Sequence, residues 1–225
     1  MTPSDALAKP HQDDWTLTSQ QCVYQGFFSL DKLILNHRRF DGSWQTGVTR
    51  ECMRRGMAVG VLAYDPWQDS VVLVEQFRVG ALNHRQGPWL TELIAGLVES
   101  GETVTDVAIR EAQEEAGLSL LDLSPIYTYF SSPGGSDETV SLWCAIVDSR
   151  GVGGLHGLAE EHEDIQVKVM SRTDALALMG QGVVDNAMAL IGLQWLALNA
   201  QKLQTRWATQ PVGQLSPLSD GDISD

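Results

Sequence analysis

Residues 96–118 leave a chain little freedom, because they read as one short amphipathic helix entered and left through glycines. Gly96 and Gly101 frame a turn, Gly117 supplies a C-terminal stop, and Val104, Val107 and Ala108 make an apolar stripe between them. The pattern predicts a helix over 103–116. Five glutamates fall in the same stretch. Glu111 and Glu115 stand four residues apart and Glu114 three from Glu111, so all three crowd one side of that helix. Like charges at this spacing weaken a helix, and Glu114 and Glu115 sit in its last turn, where the macrodipole favours cations. A solvated acidic face is the ordinary reading of such a run. The flanking glycines and buried stripe point instead to a cluster that a hard divalent cation, Mg²⁺ or Mn²⁺, would relieve through oxygen ligands.

Around this helix, strand and helix patterns mix without a regular βαβ alternation. Runs at 23–28, 30–35, 38–40 and 44–51, with a turn at Asp41-Gly42, read as a small antiparallel unit. A meander of about thirty residues cannot bury both faces, so it must pack on the main domain or on a partner chain. A hairpin follows at 57–64 and 71–77, then strands near 125–130, 140–147 and 165–169 and helices near 173–179 and 186–207. The order argues for an α+β or mixed-sheet sandwich. The expected boundaries are 1–56 for the N-terminal strand unit, 57–209 for the main domain and 210–225 for a flexible tail rich in Ser, Asp, Gly and Pro, with 1–14 a loose arm.

With 225 residues, 43% of them hydrophobic, the chain can bury a core without disulfides. A net charge of -14 repels the nucleic-acid backbone and anionic membranes, so neither is an expected partner. Cys22, Cys52 and Cys144 form no Cys-x-x-Cys pair and read as reduced, mostly buried thiols in a cytoplasmic protein. The first fifteen residues lack the basic flank and apolar run of a leader, and no apolar stretch approaches the roughly 20 residues that span a bilayer.

The helical stretch resembles the Nudix box: Gly, five residues, Glu, seven residues, Arg-Glu, an apolar residue, one residue, Glu-Glu, one residue, Gly and an apolar residue. Gly96, Glu102, Arg110, Glu111, Glu114, Glu115 and Gly117 stand at its fixed positions. Ala112, where the family usually carries a larger aliphatic residue, bears on packing and not on metal. The resemblance implies a Nudix fold, a mixed β-sheet sandwiched between helices, and a metal-dependent pyrophosphate hydrolase. Glu111 and Glu115 would bind metal directly with the Ala95 carbonyl, Glu114 would support them, and Glu102 with Arg110 would be an orienting ion pair.

The likeness extends beyond the box. Pro133, sixteen residues after Gly117, resembles the mark of the ADP-ribose pyrophosphatase branch, although Ser-Pro-Gly-Gly taken alone is an ordinary turn. In the similar bacterial enzymes the loop equivalent to 151–164 supplies a general base and a further metal ligand, which fall on Glu161 and Glu163. On an extended segment those two would share a side while Glu160 and Asp164 face away. Phe27, Phe28, Arg50, Glu51 and Arg55 match that branch's early strands, which are exchanged in a homodimer and help hold adenosine. As residues of a strand, Phe27 and Phe28 should place at least one ring in a core. Arg78 becomes a phosphate contact, and Leu97, Ser132 and Glu138 further substrate contacts. ADP-ribose is the implied substrate. Another nucleoside diphosphate sugar, such as a GDP-sugar, and a non-catalytic ADP-ribose sensor stay open as alternatives.

Overall fold

The computed structural model describes residues 12–219. The described chain divides into two compact units: one holds residues 12–56 together with Phe130–Glu138, the other Met57–Tyr129 and residues 139–219.

In the first unit β1 (Trp15–Gln25), β2 (Ser29–Arg38) and β3 (Trp44–Arg54) form an antiparallel sheet in the order β1-β2-β3. The β2–β3 turn is set by Asp41, whose carboxylate accepts the Ser43 N–H at 2.9 Å, and by Gly42 at φ 84°. The segment carrying Pro133 and Gly135 joins this unit: the Met53 N–H donates to the Gly135 carbonyl at 2.9 Å and the Asp137 N–H to the Met53 carbonyl at 3.2 Å. Every residue of β1 is exposed. Its first half, where polar residues outnumber apolar ones, is not expected as a strand from the sequence; it is held by pairing with β2, from Trp15 opposite His37 onward.

In the larger unit β4 (Met57–Asp65), β5 (Ser70–Phe77), β6 (Trp89–Glu92), β7 (Ile94–Leu97), β8 (Asp122–Phe130), β9 (Thr139–Ile146), β10 (Gly154–His156) and β11 (Ile165–Ser171) belong to a mixed sheet. Its order is β10-β11-β5-β4-β9-β8, with β6 on β5 and β7 on β4; β4 and β9 run parallel. Among the described residues three helices accompany it, α1 (Val104–Ala116), α2 (Arg172–Gly180) and α3 (Ala187–Trp207).

Pleat alternation sorts the core into two layers. Val59, Val61 and Ala63 of β4 join Val72 and Val74 of β5 and the buried stripe of α1; Leu62, Tyr64, Val71 and Leu73 point the other way, to Ala189, Leu193 and Leu196 of α3. The sheet is therefore sandwiched between helices, and β4, buried on both faces, reads as a continuous apolar run. Truncating fully buried Leu193 to Ala would cost about 2–5 kcal/mol.

The segment after Gln210 departs from the expected loose tail as far as it is described. A 3-10 turn forms at Val212–Gln214, Leu215 and Leu218 pack against the two cores, and the Leu218 N–H donates to the Leu120 carbonyl at 2.7 Å. Two leucines among the polar residues suffice to draw the segment back. Residues 220–225 and most of the expected N-terminal arm lie outside the described residues. The thiols also differ from expectation: Cys144 is buried, which pushes its pKa up to about 12, but Cys52 is half-buried and Cys22 exposed, because both lie on the open three-stranded sheet.

Candidate active site

Both ends of α1 are fixed by short-range chemistry. Thr103 caps the start: its Oγ1 accepts the Asp106 N–H at 3.2 Å and the Asp106 carboxylate accepts the Thr103 N–H at 3.1 Å, a reciprocal capping box. At the other end Gly117 takes φ 61°, and its N–H and that of Leu118 return to the carbonyls of Gln113 and Ala112. Between these ends Val107, Ala108 and Ala112 are fully buried, so the helix cannot roll and its glutamates have defined directions.

Those directions divergently resolve the expected crowding. Glu115, 2% exposed, turns inward: its Oε2 accepts the Ala95 N–H of β7 at 2.9 Å and its Oε1 accepts Gln76 Nε2 at 3.3 Å. Burial, reinforced by the charges of Glu111 and Glu163, pushes its pKa up to about 8 against the pull of the Ala95 N–H. Glu111 lies on the backbone of Gly96, where a Cβ would stand 1.7 Å from Glu111 Oε1; that contact is a physical reason for glycine at 96. Burial raises its pKa to about 7, with Arg110 opposing.

The resemblance pairs Arg110 with Glu102. The Arg110 Nε does donate to Glu102 Oε1 at 3.0 Å, but its Nη1 also donates to Glu111 Oε1 at 2.8 Å and Glu114 Oε2 at 2.9 Å. One guanidinium thus relieves part of the repulsion on its own helix. Glu102 is fixed in turn by accepting the Glu99 N–H at 2.9 Å, which with Arg110 lowers its pKa.

This donor set suits a divalent cation. Glu111 and Glu115 carry hard oxygens beside Ala95, and burial makes the charged form of both costly until positive charge is supplied, a demand Arg110 meets only in part at Glu111. Among the described residues no three acidic, histidine or cysteine side chains already converge as a ready cage. Glu163 nevertheless lies near enough for its charge to be felt at both Glu111 and Glu115. Arg78, directly after β5, donates from Nε to Glu92 Oε2 at 2.7 Å, and Leu97 on β7 is half-buried opposite Ala58. Gln76 and Glu92, polar residues in apolar strands, are not singled out by sequence patterns; only the pairing of β5 with β6 and its contact with α1 reveal their place.

The loop joining β10 to β11 corrects the expected alternation. It is not extended: Ala159–Glu161 form a 3-10 turn, His162 takes a left-handed φ of 57°, and the Glu161 and Glu163 N–H groups both return to the Leu158 carbonyl, at 3.0 and 3.2 Å. Glu163, half-buried, accepts the Leu158 N–H through Oε2 at 3.3 Å, while Glu160, Glu161 and Asp164 are exposed. Local turn bonds override the two-residue period, so pleating does not choose among these carboxylates.

In the first unit the structure gathers four of the expected binding residues. Arg55 Nε donates to Glu138 Oε1 at 2.6 Å, and its guanidinium lies 4.2 Å from the Phe28 ring centre. Phe27 meets Phe28 edge-on at 4.7 Å. Neither ring enters a core, against the expectation for a strand: β1 ends at Gln25, 26–28 form a bend, and Phe27 is 88% exposed. Arg50 and Glu51 are neighbours on β3 and so project from opposite faces. The Ser132 carbonyl accepts the Gly135 and Ser136 N–H groups at 3.1 and 3.0 Å. Arg54, not expected, bridges buried Asp31 at 2.8 Å and Asp137 at 3.2 Å.

A mixed sheet between helices, with a capped helix presenting buried glutamates beside a glycine, defines a class, and the family model described as NUDIX domain matches residues 54–190. The chain belongs to the Nudix family. It is 47% identical over 199 residues to an ADP-ribose pyrophosphatase of Haemophilus influenzae, covering 87% of this chain and 92% of that protein. It is 44% identical over 197 residues to the ADP-ribose pyrophosphatase of Escherichia coli strain K12, covering 88% and 94%. A GDP-mannose pyrophosphatase of Cronobacter sakazakii is 33% identical over 184 residues, covering 81% and 94%. Among solved structures, an ADP compounds hydrolase superposes with a TM-score of 0.63 at 18% identity, covering 85% of this chain and 98% of that one, a likeness of fold. Among the described residues no helix is long and apolar enough to cross a membrane.

Proposed function

We propose that this chain hydrolyses the pyrophosphate of ADP-ribose to AMP and ribose 5-phosphate, with Mg²⁺, or Mn²⁺ in its place. The observation that carries the reading is the 47% identity, over nearly the whole chain, to a protein named ADP-ribose pyrophosphatase. The α1 glutamates supply the chemistry such a reaction needs. Glu111, Glu115, Glu163 and the Ala95 carbonyl would hold metal, with Glu114 in support. Bound divalent metal would neutralise the phosphate oxygens and lower the pKa of the attacking water. Glu161 would take the proton of that water.

Arg78 would turn from Glu92 toward a phosphate, a planar donor suited to that geometry. Phe27, Phe28, Arg50, Glu51, Arg55, Leu97, Ser132 and Glu138 would hold the rest of the substrate. Buried Glu115 and the Gly96–Glu111 contact support a pre-shaped metal face, and the net charge of -14 favours a small substrate over nucleic acid. We place the enzyme in the cytoplasm as a homodimer that exchanges its N-terminal strands. The exposed β1, with Trp15, Leu17, Val23 and Tyr24 among the exposed apolar residues, supports that assembly. Light scattering of the full chain should give twice 24.6 kDa, and a fully active monomer at micromolar concentration would exclude shared binding.

The deciding experiment measures kcat/KM for ADP-ribose, GDP-mannose and related compounds with Mg²⁺. AMP release from ADP-ribose should dominate. Preference for GDP-mannose would transfer the reading to the relative at 33% identity, and tight ADP-ribose binding without turnover would make the chain a sensor.

A further inference from the structure

The proposed ligands come from two carriers, the α1 helix and the loop between β10 and β11, and a reaction that uses both needs their separation fixed. The neck of that loop shows how this is done. His156 ends β10 opposite Ile165, the first residue of β11, which is fully buried in the core that packs on α1. Its imidazole rests on Gly117, the left-handed cap of α1: a Cβ at 117 would stand 2.9 Å from His156 Cε1. The ring's Nε2 lies 3.2 Å from the Gly153 carbonyl, which holds the ring across the cap.

The next residue completes the seat. The Gly157 N–H donates at 3.3 Å to the carbonyl of Glu114, one of the last-turn carbonyls that a helix leaves without an internal partner. Gly157 has φ 98°, and a Cβ there would stand 2.8 Å from Glu163 Cβ, so the glycine lets Glu163 close against the neck. Leu158 then donates its N–H to Glu163 Oε2. A continuous set of contacts thus runs from the cap of the helix bearing Glu111 and Glu115 to the side chain of Glu163.

We propose that His156, seated on Gly117, is a positioning residue that registers the Gly157–Glu163 segment against α1 and so sets where Glu163 stands relative to Glu111 and Glu115. The reason glycine is needed at 117 is then double: it provides the left-handed cap, and it leaves room for the imidazole. The ring borders an open cleft of about 460 Å³ and not the core, so its removal loosens the seat without emptying the interior. This inference rests on the proposed role of Glu163.

The test uses the full-length protein with His156→Ala, the conservative His156→Gln, and Gly157→Ala, which keeps the imidazole but presses a methyl on Glu163 and strains the positive φ of the neck. In metal-free protein, amide exchange at Gly157 and Leu158 should quicken about tenfold in His156→Ala while exchange in α1 stays at wild-type rates. The half-saturating Mg²⁺ concentration for ADP-ribose hydrolysis should rise roughly tenfold with KM nearly constant, the scale on which residues that orient metal ligands act. His156→Gln should recover most of both effects, and Gly157→Ala should reproduce the Mg²⁺ shift. Wild-type exchange and Mg²⁺ demand in His156→Ala would overturn the proposal, as would uniform loss of protection across the chain. Glu163→Gln run in parallel separates the two ideas. If it raises the Mg²⁺ requirement while His156→Ala does not, the positioning role fails and the ligand assignment stands. If His156→Ala frees the neck amides but Glu163→Gln leaves the Mg²⁺ requirement untouched, the seat is real and the ligand assignment fails.

Discussion

Two acidic runs of this chain look alike in composition and differ in nearly every physical respect. The glutamates of α1 are carried on a helix capped at both ends, and Glu115 is buried with both carboxylate oxygens engaged. Those of the β10–β11 loop sit on a 3-10 turn followed by a left-handed residue, and Glu160 and Glu161 are exposed. Charge density alone does not make a site; what separates the runs is how far their carboxylates are withdrawn from water. A metal face must be preformed because its ligands repel one another, whereas a group that removes a proton from water has reason to stay wet and adjustable.

The comparison breaks first at the helix. Glu115→Gln and Glu111→Gln should each lower kcat by roughly 10³-fold or more at saturating Mg²⁺, since several kcal/mol of charge stabilisation depend on the ligands. Circular dichroism should show both variants folded. Near-wild-type turnover in either would remove the metal assignment.

At the loop, Glu161→Gln preserves size and hydrogen bonding but cannot accept a proton, so kcat should fall by about 10² to 10⁴ with KM little changed. Glu160→Gln, one residue away and equally exposed, should be nearly silent. Raised Mg²⁺ should restore part of the activity of Glu163→Gln and none of that of Glu161→Gln. If steady-state AMP release ranks Glu160→Gln as the most damaged, the assignment within the loop is wrong.

A smaller effect sharpens the helix side. Gly96→Ala drives a methyl into the space of Glu111 Oε1 and should weaken Mg²⁺ binding by about 10- to 100-fold while leaving Glu115 in place. Calorimetric titration with Mn²⁺ would detect it, and unaltered affinity would mean that Glu111 turns away from Gly96 when metal binds.

The helix was legible in advance because local rules agree there: flanking glycines, an apolar stripe, a glycine stop and a fixed spacing of charges. The mixed-sheet sandwich was legible because strand and helix patterns mix without a regular βαβ alternation, with β4 and β5 reading as an apolar hairpin. Local turn bonds hid the loop's geometry, because Leu158 gathers N–H groups that a period of two would send elsewhere. Pairing without an apolar signature hid the first half of β1. Gln76, Glu92 and the second and third bonds of Arg110 were hidden for a further reason: each depends on which strands and helices become neighbours, and residue spacing carries nothing about that.

The smallest expected effect concerns stability without metal, and it isolates the burial that distinguishes the helix from the loop. Burial lifts Glu115 from an ordinary value of 4.5 to about 8. Below pH 4.5 the carboxyl is protonated in folded and unfolded chains alike, and the folded state carries no penalty from it. Between pH 4.5 and 8 the unfolded chain releases this proton while the folded chain retains it, so stability falls as pH rises, and above 8 the loss is complete. Glu115→Gln has no proton to lose there. In EDTA, the Tm of Glu115→Gln should match wild type near pH 4.5 and exceed it progressively toward pH 8, by roughly 3–10 °C in a chain of this size. Glu160→Gln, at an exposed site, should track wild type throughout. Saturating Mg²⁺ should raise the wild-type Tm at pH 8 and leave Glu115→Gln behind, reversing their order, because the cation supplies the positive charge that burial withheld. Parallel Tm curves for wild type and Glu115→Gln across pH 4.5–8 would show that the inward-turned carboxylate is satisfied by Ala95 and Gln76 alone, and the contrast between a buried helix site and an exposed loop would then lose its physical basis.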